Sequence, residues 1–214
     1  EKLDQRFENL KKIQTVFLNC YFNSSNTNSL FEELVSNEKT DFSRYNYFYA
    51  SFAAASKKID KAKDIVNTAL KSYPRNLLLN QYKLDLNQGN YISSFDCNNK
   101  GHVIAEILYI TSNALSSQSI YSLSNFYLNL AKYLNEEFHS YDTLLAENFY
   151  KIDSFEAAKK IYDNLGKKGK AFKWHASKQL AKIYIQNENK DKALELVSKA
   201  YNNLANKDIY ETFD

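Results

Sequence analysis

The chain has 214 residues, of which 44% are hydrophobic, 25% charged and 15% aromatic, and its formal net charge is only +3. It contains 4 Gly and 1 Pro, where average usage would place roughly 15 and 11 in this length; that excludes a β-sandwich, a β-barrel and a Gly-rich phosphate loop, and leaves helix. A mean hydropathy of -0.56, with no apolar run near the roughly 18 residues of a membrane span, excludes transmembrane segments.

In chain order, residues 1–42 hold two amphipathic helices, about Leu3 to Phe22 and Asn28 to Asn37. The polar tract Asn23 to Asn28 between them is expected to be an exposed loop. The opening Glu1-Lys2-Leu3-Asp4-Gln5 resembles the middle of a helix, and there is no Met. The chain is therefore expected to be a piece of something longer, without a targeting segment. Further on, the apolar residues 59, 62, 65, 66, 69 and 70 make one helical stripe, with Asp60 able to cap its start and Pro74 following its end. Leu77 to Leu86 is a further helix, and Gly89-Asn90-Tyr91 then leads into a short second helix at about Ile92 to Asp96. Leu144, Leu145, Phe149 and Ile152 form an amphipathic set around Ala146. The run Phe155 to Tyr162, preceded by Asp153-Ser154, closes near Gly166, and the pattern recurs from Lys192 to Tyr201.

Small residues carry an internal repeat. Ala50, Ser112, Ala146 and Ala181 are spaced by 62, 34 and 35 residues; Ala62, Ser124, Ala158 and Ala193 follow in step, 12 residues later each time. A third series, Ala69, Ala131, Leu165 and Ala200, lies 7 residues beyond the second. Two small residues 12 apart across a polar break suit two antiparallel helices pressed together, so the unit is a helical hairpin.

The period near 34 and the three series resemble the tetratricopeptide repeat. Ala50, Ala62, Ala69 and Pro74 match one repeat; Ser112, Tyr121, Ser124 and Ala131 another; Ala146, Phe155, Ala158 and Tyr162 a third; and Ala181, Tyr184, Ala193 and Ala200 a fourth. The Trp usual in the family's first helix is replaced by Asn46, Leu108, Asp142 and Ser177. The order Asn125 to Leu134 before an acidic turn is also similar to tetratricopeptide proteins of alphaproteobacteria. The resemblance implies an all-α, right-handed superhelical solenoid of antiparallel helix pairs. Residues 1–42 would be a capping or degenerate hairpin, and 43–205 the repeats (about 43–76, 77–99 shortened, 101–138, 139–173 and 174–205), with 206–214 as a C-terminal tail. It implies a non-enzymatic scaffold or adaptor that binds another polypeptide in a concave groove lined by the first helices, in a bacterial cytoplasm or periplasm. Carried over position by position, the groove residues are Tyr47 and Ser51; Tyr109 and Asn113; Thr143, Glu147, Tyr150 and Lys151; and Lys178, Lys182 and Gln186.

Residues with chemistry to offer are sparse. Cys20 and Cys97 read as buried small hydrophobes, with one disulfide between them left open. His102, His139 and His175 fall near the starts of three first helices, too far apart to share a metal, so no metal or cofactor is expected. Glu136-Glu137 reads as a solvated turn. The stretch Lys167 to Trp174 mixes cations with aromatics as single-stranded nucleic-acid sites do. Here its lysines fit the negative end of the helix closing at Gly166, and Phe172 and Trp174 fit a seam between repeats. With a net charge of +3 no nucleic acid is expected, and an RNA-binding helical repeat is the weaker alternative. The other readings are a helical arm of a larger enzyme, for example a cell-wall lytic one, and homo-oligomerisation through exposed solenoid ends.

Overall fold

Few Gly and Pro mean few places where a helix must stop. The computed structural model describes residues 2–36 and 42–204, with side chains from Glu8 onward, and these form eleven α-helices and no strand. The chain is all-α. It divides into two compact units, Glu1–Ile107 and Leu108–Asp214. The tail expected at 206–214 and the end expected for the second helix, near Asn37, lie outside the described residues.

The first unit holds α1 (Lys2–Tyr21), α2 (Thr27–Val35), α3 (Ser43–Ala55), α4 (Ile59–Ser72), α5 (Leu77–Asn87) and the first half of α6 (Lys100–Ser116). Its core surrounds α3, which buries Tyr45, Tyr47, Phe48, Tyr49, Ala50, Ala53 and Ala54. Phe48 meets Phe17 of α1 edge-on at 5.4 Å and Phe95 at 4.3 Å between ring centroids, while Phe31 of α2 stacks on Tyr49 at 5.5 Å. Arg44 grips the fully buried Glu106 with two hydrogen bonds, Nε to Oε1 at 2.6 Å and Nη2 to Oε2 at 2.8 Å. Asp60 sits in the first turn of α4, favourable for its negative charge, but the cap position itself is Lys58.

The second unit holds the rest of α6, then α7 (Tyr121–Leu134), α8 (Ser140–Lys151), α9 (Phe155–Leu165), α10 (Lys170–Gln186) and α11 (Lys190–Asn202). From α7 to α11 each helix packs on the next in sequence, as in stacked hairpin repeats. Connections of a few residues make consecutive helices antiparallel.

The small-residue series is buried throughout: Ala50, Ala62, Ser112, Ser124, Ala131, Ala146 and Ala158 are wholly inaccessible or nearly so. Where Ser replaces Ala, the hydroxyl is used, for Ser124 Oγ donates across the crossing to the Ser112 carbonyl at 2.8 Å.

A fourth series emerges from the backbone. Lys57, Ser119, Asp153 and Glu188 all adopt positive φ, between 56° and 62°, at the same spacings of 62, 34 and 35. Each ends a first helix with the same pair of closing bonds; at Lys57 these are Lys57 N to Ala54 O and Lys58 N to Ala53 O, both 2.9 Å. Asn23 (φ 53°) makes the equivalent turn after α1, with Ser24 N donating to Asn19 O at 2.8 Å. Asn23 lies 34 residues before Lys57, so the first hairpin shares the repeat register.

One expectation fails. No helix forms at Ile92 to Asp96; residues 89–99 are irregular. Gly89 (φ 79°) makes the left-handed turn that ends α5, which places Tyr82, seven residues earlier, where α3, α6, α8 and α10 have Ala or Ser. A Tyr at that crossing keeps a second helix from approaching, and an irregular strap packs there instead.

Candidate functional site

The positions expected to line a groove in the first unit lie beneath this strap. Tyr47 and Ser51 are buried, at 3% and 4% exposure. The Tyr47 hydroxyl shares hydrogen bonds with Ser93 Oγ at 2.9 Å and Ser94 Oγ at 3.3 Å, and Ser51 Oγ donates to the Phe95 carbonyl at 3.3 Å. Burial, above all, pushes the Tyr47 phenol upward. The Tyr82 hydroxyl beside it is buried with no hydrogen-bond partner, and burial raises its pKa too. Phe95 plugs the strap into the core between Phe17 and Phe48. His102 Nδ1 accepts from the Asp96 backbone N–H at 3.0 Å, and burial lowers the imidazole's pKa.

The cysteines complete the clamp. Cys20 and Cys97 are joined in a disulfide, with their Cα atoms 5.8 Å apart, well within the usual span. The bond ties the strap to α1. The expectation of two buried small hydrophobes thus becomes one buried cystine, since both residues are buried but bonded.

In the second unit the positions expected to line a groove are accessible. Thr143 and Tyr150 of α8 are half-buried and Glu147 and Lys151 exposed. Thr143 Oγ1 donates to the Ser140 carbonyl at 2.7 Å, and the Tyr150 ring lies 5.6 Å from Phe155. On α10, Lys182 and Gln186 are exposed, and half-buried Lys178 holds its ammonium 5.6 Å above the Trp174 ring. Tyr109 rests on Tyr141 at 5.7 Å, and Asn113 is exposed. Burial is the main cause raising the pKa of Tyr162, which also feels the charge of Glu147.

Beneath these residues is a buried polar network that the sequence pattern did not reveal. Asn148 Nδ2 donates to Ser124 Oγ and to Asn125 Oδ1, both at 2.8 Å, and Asn148 Oδ1 accepts from Ser116 Oγ at 2.6 Å. It fastens α6, α7 and α8 together. Of the four positions where the resemblance would place a Trp, Asn46 and Ser177 are buried. Asp142 bonds Lys132; burial opposes its ionisation, but His139 and Lys132 together hold its pKa below the ordinary value.

The basic stretch is only partly a turn. α10 starts at Lys170, so Phe172 and Trp174 are helical; Phe172 is buried 6.5 Å from His139, while Lys167 and Lys168 are exposed. Glu136 and Glu137 are exposed in a turn. Among the described residues no group of three His, Cys, Asp or Glu side chains could hold a metal ion, and no helix is long and apolar enough to cross a membrane.

No family model matches the chain, and no curated protein matches it. Among solved structures it is similar to a crystal structure of MamA, at 18% identity and a TM-score of 0.40, over 70% of this chain and 91% of that one. MamA MSR-1 is similar at 14% identity and a TM-score of 0.33, over 94% and 96% of the two chains. MamA AMB-1 is similar at 13% identity and a TM-score of 0.35, over 98% and 96%. At these TM-scores the likeness carries no argument about function, which rests on the chain's own geometry.

Proposed function

We propose that this chain is a protein-interaction scaffold of tetratricopeptide type. Its partner-binding face is formed by first-helix residues of the second unit: Tyr109 and Asn113, Thr143, Glu147, Tyr150 and Lys151, and Lys178, Lys182 and Gln186. The ligand is an extended or helical polypeptide with apolar anchors and acidic residues. Tyr109 and Tyr150 supply amphipathic ring surface, Asn113 an amide, and Lys178 and Lys182, one turn apart on α10, paired cations. The observation that carries this reading is the repeat itself. Left-handed turns and buried small residues in one register make successive first helices structural equivalents, and in the second unit their corresponding positions are accessible. Tyr47 and Ser51 belong to the same positional series but serve the strap. The Cys20–Cys97 bond supports the periplasm over the cytoplasm as the compartment.

The test begins with a pull-down from the source organism and mass spectrometry, followed by titration of the partner found. Replacing Lys178 and Lys182 together by Ala should weaken binding by about 1–3 kcal/mol if both meet desolvated carboxylates, and binding should weaken with salt. Loss confined to Lys167→Ala with Lys168→Ala would reject this face and move the contact to the basic turn.

A further inference from the structure

α7 has apolar side chains on two sides, and the described residues cover one of them. The inner side buries Ser124, Asn125, Leu128 and Ala131. On the outer side Leu123, Phe126, Leu130 and Tyr133 are 44%, 57%, 38% and 79% exposed, and Ile120, just before the helix, is 45% exposed. Single exposed hydrophobics are ordinary on protein surfaces; a line of them at spacings 3, 4 and 3 is the heptad seam by which one helix packs on another. No charge interrupts it. The one charged residue of α7, Lys132, bonds Asp142.

We propose that this face joins two copies of the chain, their α7 helices antiparallel about a twofold axis that passes beside residue 128. The seam is self-complementary in that arrangement. Leu123 of one copy lies opposite Tyr133 of the other, and Phe126 opposite Leu130, so every aromatic faces an aliphatic, as an isologous contact requires of a single patch. The absence of charge removes like-charge repulsion between identical faces and offers nothing to steer a charged partner. The acidic turns at Glu136 and Glu137 fall at opposite ends of the pair, about 25 Å apart along the helix direction. The outer side chains together expose on the order of 500 Å² per copy, so pairing buries on the order of 1,000 Å², near the lower limit for a specific interface. An interface at that lower limit belongs with weak, transient associations. It also places self-association on a helix in mid-chain, away from the ends where exposed stacking faces suggested it.

Sedimentation velocity from about 1 to about 100 µM reads this directly. The native chain should double in mass across that range. Leu123→Glu alone and Tyr133→Lys alone should remain monomeric with unchanged helical circular dichroism. An equimolar mixture of these two variants should dimerise again, because only antiparallel pairing sets position 123 against position 133. If Leu123→Glu loses helical signal, Phe126→Ser, which removes a seam side chain without adding charge, replaces it as the monomer control. A native chain that stays monomeric at about 100 µM, or a Phe126→Ser variant that dimerises as the native chain does, overturns the proposal. Failure of the mixture to recover overturns the antiparallel pairing.

Discussion

Arg44 and Glu106 show what a single pair can do in a buried setting. Glu106 has no exposed surface, and a guanidinium meets both of its oxygens. Arg44→Ala should destabilise the first unit by about 3–5 kcal/mol, measured by urea unfolding, since it takes the guanidinium away from a buried carboxylate. Replacing both residues by Met and Leu should cost far less. Glu32 is the contrasting, exposed case. The Tyr49 hydroxyl first, then Lys61 and Asn28, hold its pKa down to about 2 from 4.5. A depressed carboxylate contributes stability above its unfolded-state pKa and loses it as pH falls through the folded value. The native chain should therefore be more stable than Glu32→Gln near neutral pH, and the difference should vanish between about pH 4.5 and pH 2. With 53% of the Glu32 side chain exposed, solvent screening keeps the effect under about 1 kcal/mol. A melting-temperature difference unchanged down to pH 2 would contradict the assignment.

At the scale of elements, the hairpins depend on turns that L-residues enter at a cost. Lys57, Ser119 and Glu188 hold left-handed φ with no glycine among them; of the equivalent set only Asn23 and Asp153 are types that tolerate it well. Lys57→Gly should stabilise the first unit by about 1 kcal/mol, since the side chain is exposed and only the backbone penalty is relieved. A drop in melting temperature would mean that the lysine side chain matters to the turn. These turns also explain what was legible. The small-residue spacing exposed the hairpins because helix crossings are limited by side-chain volume, a property visible residue by residue. The left-handed series could not be read in advance: Lys, Ser, Asp and Glu share no common signature. The failure at Ile92 to Asp96 has the same origin. The period called for a second helix, while Tyr82, a volume misfit that becomes apparent only once Gly89 sets the register, kept it from packing.

At the scale of the whole molecule, the disulfide closes a span of 77 residues in the first unit. Cys20→Ser with Cys97→Ser should lower that unit's stability by about 2–4 kcal/mol and loosen the strap over Tyr47 and Ser51. The single Trp, Trp174, lies in the second unit, so its fluorescence follows that unit while circular dichroism follows both. In the double variant the dichroism transition should move to lower urea, with the Trp174 transition recorded beside it as the signal of the second unit. A cystine that contributes nothing would leave both curves where they were.

The sequence by itself determined the helical class, the period, the hairpin unit and the residues at its crossings, because all of these follow from patterns repeated within a few helical turns. Tertiary structure alone decided which positions stay accessible. Tyr47 and Ser51 obey the same spacing rule as Thr143 and Lys182, yet they are covered by Ser93, Ser94 and Phe95 more than 40 residues away. The Asn148 network, the Arg44–Glu106 pair and the Cys20–Cys97 bond likewise join residues 23 to 77 positions apart. Local periodicity sets which face of a helix is apolar; which segment of chain comes to lie on that face is settled only when the helices pack.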